Sequence, residues 1–195
     1  MLQALAGMRP LVEHAYLEEE RGIPHALLVH PRFAGKVLRD ARANVIFPHI
    51  DRDGPCGFEI KNRDFTGFAA GGEKGLWVSA VQRTDTALVI AESGIDALSY
   101  AALHPDEHVR YASFGGALNA HQPLLLQAAI KRLMMGATVR IATDNDRDGV
   151  KFASLIERLV TDTSRDDLAV HRALPSDTKD WNEALLRASG RYSYR

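Results

Sequence analysis

The chain has 195 residues, of which 46% are hydrophobic and 25% charged. This composition supplies a buried core and excludes a disordered or fibrous protein. The 24 Lys and Arg side chains nearly balance the 25 Asp and Glu, so the net charge of −1 gives no overall signature of nucleic-acid binding, although a local basic face is compatible with it.

The single cysteine, Cys56, excludes an intramolecular disulfide and a multi-cysteine zinc site. The first ten residues lack the charged start and long apolar core of a signal peptide, and no apolar run approaches the length of a membrane span. We therefore expect a cytoplasmic protein.

The first part of the chain predicts a small α+β domain. Residues 3–21 carry apolar side chains at helical spacing, which predicts one or two short helices interrupted near Pro10. Residues 27–80 then change to short β-prone runs separated by turns rich in Gly, Asp and Asn. These runs are 45–50, 57–60 and 76–79. We interpret residues 1–82 as a domain built around an antiparallel meander.

In the second part, residues 83–195, apolar runs of strand length alternate with stretches of helical spacing. The predicted strands are 88–90, 109–114, 138–143 and 168–174. The predicted helices are 94–103, 123–135, 150–160 and 181–188. Such alternation is typical of an α/β fold with a mainly parallel sheet, here of four strands, flanked by helices.

Carboxylates follow two of the predicted strands. Glu92 comes directly after the first strand, and Asp144, Asp146 and Asp148 follow the third at alternate positions. Because the carboxyl ends of neighbouring parallel strands open onto one edge, we expect these side chains to meet. Oxygen ligands without clustered Cys or His favour Mg²⁺ or Mn²⁺ over Zn²⁺. The sequence therefore predicts a divalent-metal site.

The role of Asp96 stays open, whereas a calcium-binding loop at residues 144–149 is disfavoured. Asp96 lies in the first turn of a predicted helix, where the helix dipole favours a carboxylate, so a structural role is as reasonable as a functional one. Residues 144–149 also resemble the opening of a calcium-binding loop. That loop needs a Glu six residues after its Gly, where this chain has Leu155. The pattern therefore disfavours a calcium-binding helix-loop-helix.

Several further residues are candidates for contacts with phosphate or bases. Gly115 and Gly116 lie between a strand and a helix, where backbone N–H groups bind a phosphate or simply form a tight turn. Arg147 lies inside the acidic loop. The first domain also mixes basic and aromatic side chains, which suits either base stacking or core packing. These are Lys61, Arg63, Lys74, Phe65, Phe68 and Trp77.

The two acidic stretches resemble the motifs of the TOPRIM domain of topoisomerases and bacterial primases. The first runs from Glu92 to Asp96, with Ser93 and Gly94 where many relatives place Gly first, and the second runs from Asp144 to Gly149. This resemblance covers residues 86–174. With further matching stretches, the chain is similar to primase-like TOPRIM proteins of plasmids and mobile elements, in which a small domain of unknown role comes first. These stretches are 16–23, 44–48, 54–60, 67–75 and 179–182.

The resemblance implies magnesium- or manganese-assisted nucleotidyl transfer related to DNA replication. Glu92 would be the general acid/base, Asp144 and Asp146 would hold the ion, and Asp148 would add a ligand through water. The supporting residues would be Gly94, Asp96, Gly115, Gly116, Arg147, Lys179 and Asp180. The implied partners are nucleic acid, with single-stranded DNA favoured, nucleotides, and a protein such as a helicase or relaxase. A TOPRIM nuclease and a non-catalytic nucleic-acid-binding module are the alternatives.

Overall fold

The N-terminal part of the chain forms an antiparallel sheet in the computed structural model, which describes residues 2–175 and 177–191. In spatial order the strands are β1 (Arg9–Pro10), β2 (Leu38–Arg39), β3 (Val45–Ile50), β4 (Pro55–Asn62) and β5 (Phe65–Phe68). The helical segments are α1 (Leu2–Ala6), a π-helical turn (Tyr16–Glu20) and α2 (His25–Leu28). The predicted α+β unit with an antiparallel meander is therefore confirmed, and β5 is a strand that the β-prone pattern did not reveal.

The second sheet has the order β10-β9-β7-β8-β6. Its strands are β6 (Trp77–Val78), β7 (Ala87–Ala91), β8 (Val109–Ser113), β9 (Thr138–Ala142) and β10 (Ala169–Arg172). Its helices are α3 (Gly94–Leu103), α4 (Gln122–Lys131), α5 (Arg147–Thr161) and α6 (Trp181–Ala188). Strands β7 to β10 are mutually parallel, so the predicted α/β fold is confirmed.

The run at 76–79 differs from its predicted place in the meander. Trp77 pairs with Ser113, so β6 is an antiparallel edge strand of the second sheet, while an isolated bridge between Leu76 and Ile50 keeps it tied to the first. A two-residue strand carries too little pattern for the sequence to reveal which sheet it joins. The two sheets are therefore linked at this strand.

Strand β7 lies at the centre of the core, with every residue buried. Leu88 and Ile90 pack in one apolar cluster with α4 and α5, whereas Val89 and Ala91 pack in the other with α3 and α6. Successive side chains of a strand point to opposite faces, so a continuous apolar run lies between helices on both sides. No helix in the described residues is both long and apolar enough for a bilayer crossing.

The first sheet packs against the edge of the second sheet where α3 begins. A Cβ at Gly94 would collide with the ring of Phe47, which itself lies edge-on to Trp77 with ring centroids 5.6 Å apart. Glycine is therefore required at position 94 by this close approach. The contact holds β3 against the turn that carries Glu92.

Candidate active site

The two acidic stretches meet at the carboxyl edge of the second sheet. Strands β7 and β9 are neighbours, with Ala91 opposite Ala142, so the residues that follow them emerge side by side. Glu92 Oε1 accepts a hydrogen bond of 3.0 Å from the backbone N–H of Asp144. The structure thus brings Glu92 and Asp144 into direct contact although they are far apart in sequence.

Asp144 carries the most exceptional carboxylate of this edge. Its Oδ1 atom is buried and lacks a hydrogen-bond partner within the described part of the chain. Burial, followed by repulsion from Asp96 and Glu92, raises the pKa of Asp144 to about 8. Burial is also the main reason why the pKa of Glu92 rises to about 6, with further repulsion from Asp96 and Asp146. Both carboxylates are held in an environment that disfavours their charge.

Asp146 has a different environment because it caps α5. Its Oδ1 accepts hydrogen bonds from the N–H groups of Asp148 at 3.0 Å and Gly149 at 2.9 Å. Its Oδ2 lies 3.4 Å from the ammonium of Lys179. The Gly149 N–H and the Lys179 side chain hold the pKa of Asp146 below its usual value. Asp146 is therefore stabilised as the anion.

A close backbone contact requires glycine at position 149, in the second acidic stretch. A Cβ at this position would collide with the carbonyl oxygen of Asp144. Helix α5 begins at Arg147, three residues before the predicted start, so Asp148 lies in its first turn. The Asp148 side chain is 68% exposed and its Oδ1 lies 2.6 Å from Lys151. Asp148 therefore lies near the edge but points into solvent.

Asp96 is both structural and close to the site. Ser93 caps α3 by accepting the Asp96 N–H and donates its own hydroxyl to Asp96 Oδ2 at 2.5 Å. Asp96 is buried, and this burial raises its pKa to about 6. The Ser93 hydroxyl thus has a defined partner.

The segment from Lys179 to Trp181 is hydrogen-bonded to the acidic loop, residues 144–149, and to the strand before it. Asp180 caps α6 by accepting the Glu183 N–H at 2.8 Å. The Lys179 carbonyl accepts the Asn145 N–H at 2.7 Å, and the Trp181 indole donates to the Ala142 carbonyl at 3.0 Å. These bonds fix the position of the loop that carries Asp144 and Asp146.

The remaining predicted residues lie around this edge. Gly115 and Gly116 both have positive φ, and the Gly116 N–H donates to the Glu92 carbonyl at 2.9 Å. Arg147 is exposed at the start of α5. The sequence reasoning missed Arg172, which ends β10 at the same edge and donates to the Asp144 carbonyl at 3.4 Å, while its Nε is buried and unpartnered among the described residues. The rule that picked out Glu92, residues at the ends of parallel strands, also applies to Arg172.

The residues present fit a hard divalent ion. Within residues 2–175 and 177–191, no group of three or more His, Cys, Asp or Glu side chains is already close enough to hold an ion. The available donors at the edge are carboxylate oxygens, and Asp144 Oδ1 is buried without a partner. Oxygen donors of this kind are typical of Mg²⁺ and Mn²⁺ sites, and a cation would compensate the buried charge.

Comparison with protein families confirms the resemblance seen in the sequence. Residues 89–185 match the family described as Toprim-like. The chain therefore carries a Toprim-like domain. Residues 15–85 match DUF3991, a family described as a protein of unknown function, so a DUF3991 domain precedes the Toprim-like domain in this chain. No curated protein matches the sequence.

Solved structures with a similar fold include primase fragments. The primase fragment of the bacteriophage T7 primase-helicase protein matches with a TM-score of 0.55 and 14% identity, over 89% of this chain and 68% of that chain. A DNA primase domain from Pseudomonas aeruginosa matches with a TM-score of 0.52 and 15% identity, over 93% of this chain and 60% of that chain.

A third match is a structure of the T7 lagging-strand DNA polymerase interacting with primase domains bound to an RNA/DNA hybrid and dTTP. Its TM-score is 0.55 at 17% identity, over 89% of this chain and 85% of that chain. At these identities the likeness establishes a primase-like fold for the Toprim-like protein.

Proposed function

We propose that this Toprim-like protein catalyses divalent-metal-dependent nucleotidyl transfer on nucleic acid, as a primase-like enzyme. The observation that carries the proposal is the buried, unpartnered Oδ1 of Asp144 beside the protonatable carboxylate of Glu92. A buried charge without compensation is costly, and proteins retain such groups mainly at functional sites. The likeness of the fold to primase fragments supports nucleic acid and nucleotides as the substrates.

Each carboxylate has a role that suits its environment. Glu92, with a pKa of about 6, is poised near neutral pH to take or return the proton of a hydroxyl group. Asp144 and Asp146 would hold Mg²⁺ or Mn²⁺, and Asp148 would contribute through water. The bound ion would neutralise charge that develops on a phosphoryl group and position the attacking oxygen.

Three residues would keep this geometry in place. Lys179 holds Asp146 through an ion pair and fixes the acidic loop through its carbonyl group. The Asp180 cap orients the helix that follows. Arg172 holds the Asp144 main chain.

We also propose the biological setting of the protein. The template would be single-stranded DNA, the partner protein a helicase or relaxase, the source a mobile element, and the compartment the cytoplasm.

The test is an incubation of the protein with labelled ribonucleotides, a single-stranded DNA template and Mg²⁺ or Mn²⁺. We expect short oligomers from the wild type, and a loss of about 10²- to 10⁴-fold in rate for Glu92→Gln, the size typical of a lost general acid/base. Asp166→Asn is the matched control, because Asp166 is exposed and precedes the amino end of β10, at the opposite edge of the sheet.

The same incubation separates the alternatives. Shortened template without oligomers would replace the proposal with a metal-dependent nuclease. Absence of both products, together with salt-sensitive DNA binding that survives Glu92→Gln, would replace it with a non-catalytic binding module. Titration with Mn²⁺ should show that Asp144→Asn weakens ion binding while Asp166→Asn does not, and equal affinity in both variants would contradict the assignment of the metal site.

A further inference from the structure

One face of the first sheet is directed towards the candidate active site. Side chains of β3 and β4 alternate between the faces, and Phe47 lies opposite Glu59 while Val45 lies opposite Lys61. Phe47 packs on Gly94, and a Cβ at Gly115 would lie 3.1 Å from the carboxyl carbon of Glu59. Glu59 and Lys61 therefore project from the DUF3991 domain towards the turns that follow β7 and β8.

Glu59 and Lys61 belong to a network with His49. His49 Nδ1 lies 2.8 Å from the Gly75 carbonyl oxygen, and Nε2 lies 3.3 Å from Glu59 Oε1. The other oxygen of Glu59 lies 3.4 Å from Lys61 Nζ. His49 is 0% and Glu59 2% exposed. These two buried groups fix the position from which the Lys61 side chain reaches out.

The hydrogen bonds of His49 link Lys61 to the backbone. A carbonyl oxygen only accepts, so His49 Nδ1 carries a hydrogen and donates to Gly75. Nε2 of the same ring faces Glu59 Oε1, and the other oxygen of Glu59 faces Lys61. His49 therefore fixes the carboxyl group that holds Lys61.

Lys61 also has unused donors. Its side chain is 15% exposed, and within the described ranges its one ion-pair contact is Glu59 at 3.4 Å. An ammonium group has three donors, and a nearly buried one normally uses them. The neighbouring basic groups are already occupied: Arg63 pairs with Glu20, and Lys74 donates to the Gly115 and Ala117 carbonyls.

The charge of Lys61 acts electrostatically on Asp96 at the acidic edge. It favours the charged form of Asp96 and so opposes the rise in the pKa of that carboxyl group, whose burial is the dominant effect. Lys61 is therefore a cation of the first sheet that acts on the acidic edge of the second, while Glu59 of the same sheet acts on Asp96 with the opposite sign. A ligand that carries phosphate groups and meets a divalent ion at the carboxylates would find a cation opposite it.

We propose that Lys61 binds a phosphate group of the substrate and that Glu59 and His49 are positioning residues that hold it there. The DUF3991 domain would thereby supply part of the substrate site rather than act as a separate module. The phosphate belongs either to the nucleic-acid backbone or to a nucleoside triphosphate. This inference rests on the proposed function of the acidic edge, because it takes the phosphate-bearing substrate from there.

The test measures ligand affinity of the full chain with Mg²⁺ present. Fluorescence anisotropy of a labelled single-stranded oligonucleotide and of a fluorescent ATP analogue would be compared for wild type, Lys61→Met, Lys61→Arg and Lys131→Met. Lys131 is the matched control, because it is an exposed lysine in the last turn of α4. We expect Lys61→Met to weaken binding of one or both ligands by about tenfold, the typical effect of losing one charge-assisted hydrogen bond.

Three further results are expected. Lys61→Arg should retain most of the affinity, Lys131→Met should match the wild type, and for a loss on the oligonucleotide the salt dependence of binding should fall by about one unit of slope. A loss of affinity for the oligonucleotide alone assigns the contact to the nucleic-acid backbone, and a loss of affinity for the ATP analogue alone assigns it to the nucleotide. Either supports the proposal.

The inference would be overturned if Lys61→Met bound both ligands as tightly as the wild type does. A lower melting temperature of this variant without a loss of affinity would count in the same way. The proposed function fails in a different experiment. It would be contradicted if Asp144→Asn bound Mn²⁺ as the wild type does, whereas Lys61→Met is expected to leave Mn²⁺ affinity unchanged in either case.

Discussion

Two aspartates with buried carboxylate oxygens have opposite surroundings in this protein. Asp85 is 0% exposed and, although its Oδ1 also lacks a well-directed hydrogen bond within the described ranges, its two oxygens form ion pairs of 2.7 Å with Arg32 and 3.2 Å with Arg110. Asp144 is half-buried near Glu92 and Asp96, and its Oδ1 is buried without a hydrogen-bond partner in the part of the chain that the structure describes. The cost of burying Asp85 is offset within the fold. Among the described residues, Asp144 forms no such ion pair and interacts with Lys179 only at longer range, so the cost of burying its charge is offset mainly by keeping its proton or by taking up a cation from outside.

This difference separates a structural carboxylate from a candidate functional one. Arg32 is itself buried and donates to the carbonyl groups of Ala80 and Glu107, so the Asp85 cluster ties together the segments before and after β7. Helix capping and a neighbouring lysine similarly satisfy Asp146. Asp144 is the group whose environment is explained best by a ligand.

The largest expected effect comes from breaking the compensated cluster. Arg32→Met leaves Asp85 buried with a reduced set of partners, and removing one partner of a buried pair costs about 3–5 kcal/mol of unfolding free energy. Urea denaturation followed by circular dichroism measures this loss. A loss below about 1 kcal/mol, the range of an exposed pair, would break the comparison.

The opposite sign is expected at Asp144. In metal-free protein at pH 8, Asp144→Asn removes a charge from a site that disfavours it and should raise the free energy of unfolding by about 1–3 kcal/mol, the cost of an unsatisfied buried group. Denaturation in the presence of a chelator measures the gain. Asp166→Asn serves as the control, and destabilisation by Asp144→Asn would contradict our interpretation of the site.

The pH dependence sharpens the same point. The pKa of Asp144 is about 8 in the folded protein, whereas an aspartate in an unfolded chain has a pKa of about 4. The folded state therefore binds more protons between these values, and its stability falls as the pH rises through this window. Melting temperatures of metal-free protein should fall less steeply with pH in Asp144→Asn than in the wild type. Equal slopes would contradict the raised pKa.

The smallest effect is expected for Lys179→Met. The Lys179 side chain is 63% exposed and pairs with Asp146 at 3.4 Å, and such an exposed pair contributes little to stability because water and salt screen it. The variant should therefore change the urea midpoint little, in contrast to Arg32→Met. A loss as large as that of Arg32→Met would show that Asp146, too, depends on a cation within the fold.

Much of this arrangement could be predicted from local pattern. The strands and helices from residue 86 onward follow from periodicity alone, and the acidic edge follows from the rule that parallel strands share their carboxyl ends. The β-prone mixture in the first domain was ambiguous, because residue type does not distinguish a core aromatic from an exposed one. The structure buries Trp77 against Phe47 and leaves Phe65 53% exposed.

The sequence by itself determined the fold class, the Toprim-like motifs and the set of carboxylates at the edge, because hydrophobic periodicity and short-range spacing are local properties. Only the tertiary structure decided which carboxylate lacks a partner, which sheet β6 joins, and that Lys61 of the first domain lies opposite the acidic turns. These outcomes depend on contacts between residues distant in sequence. Partnering and burial set the cost of a charge, and they arise only when the two sheets pack together.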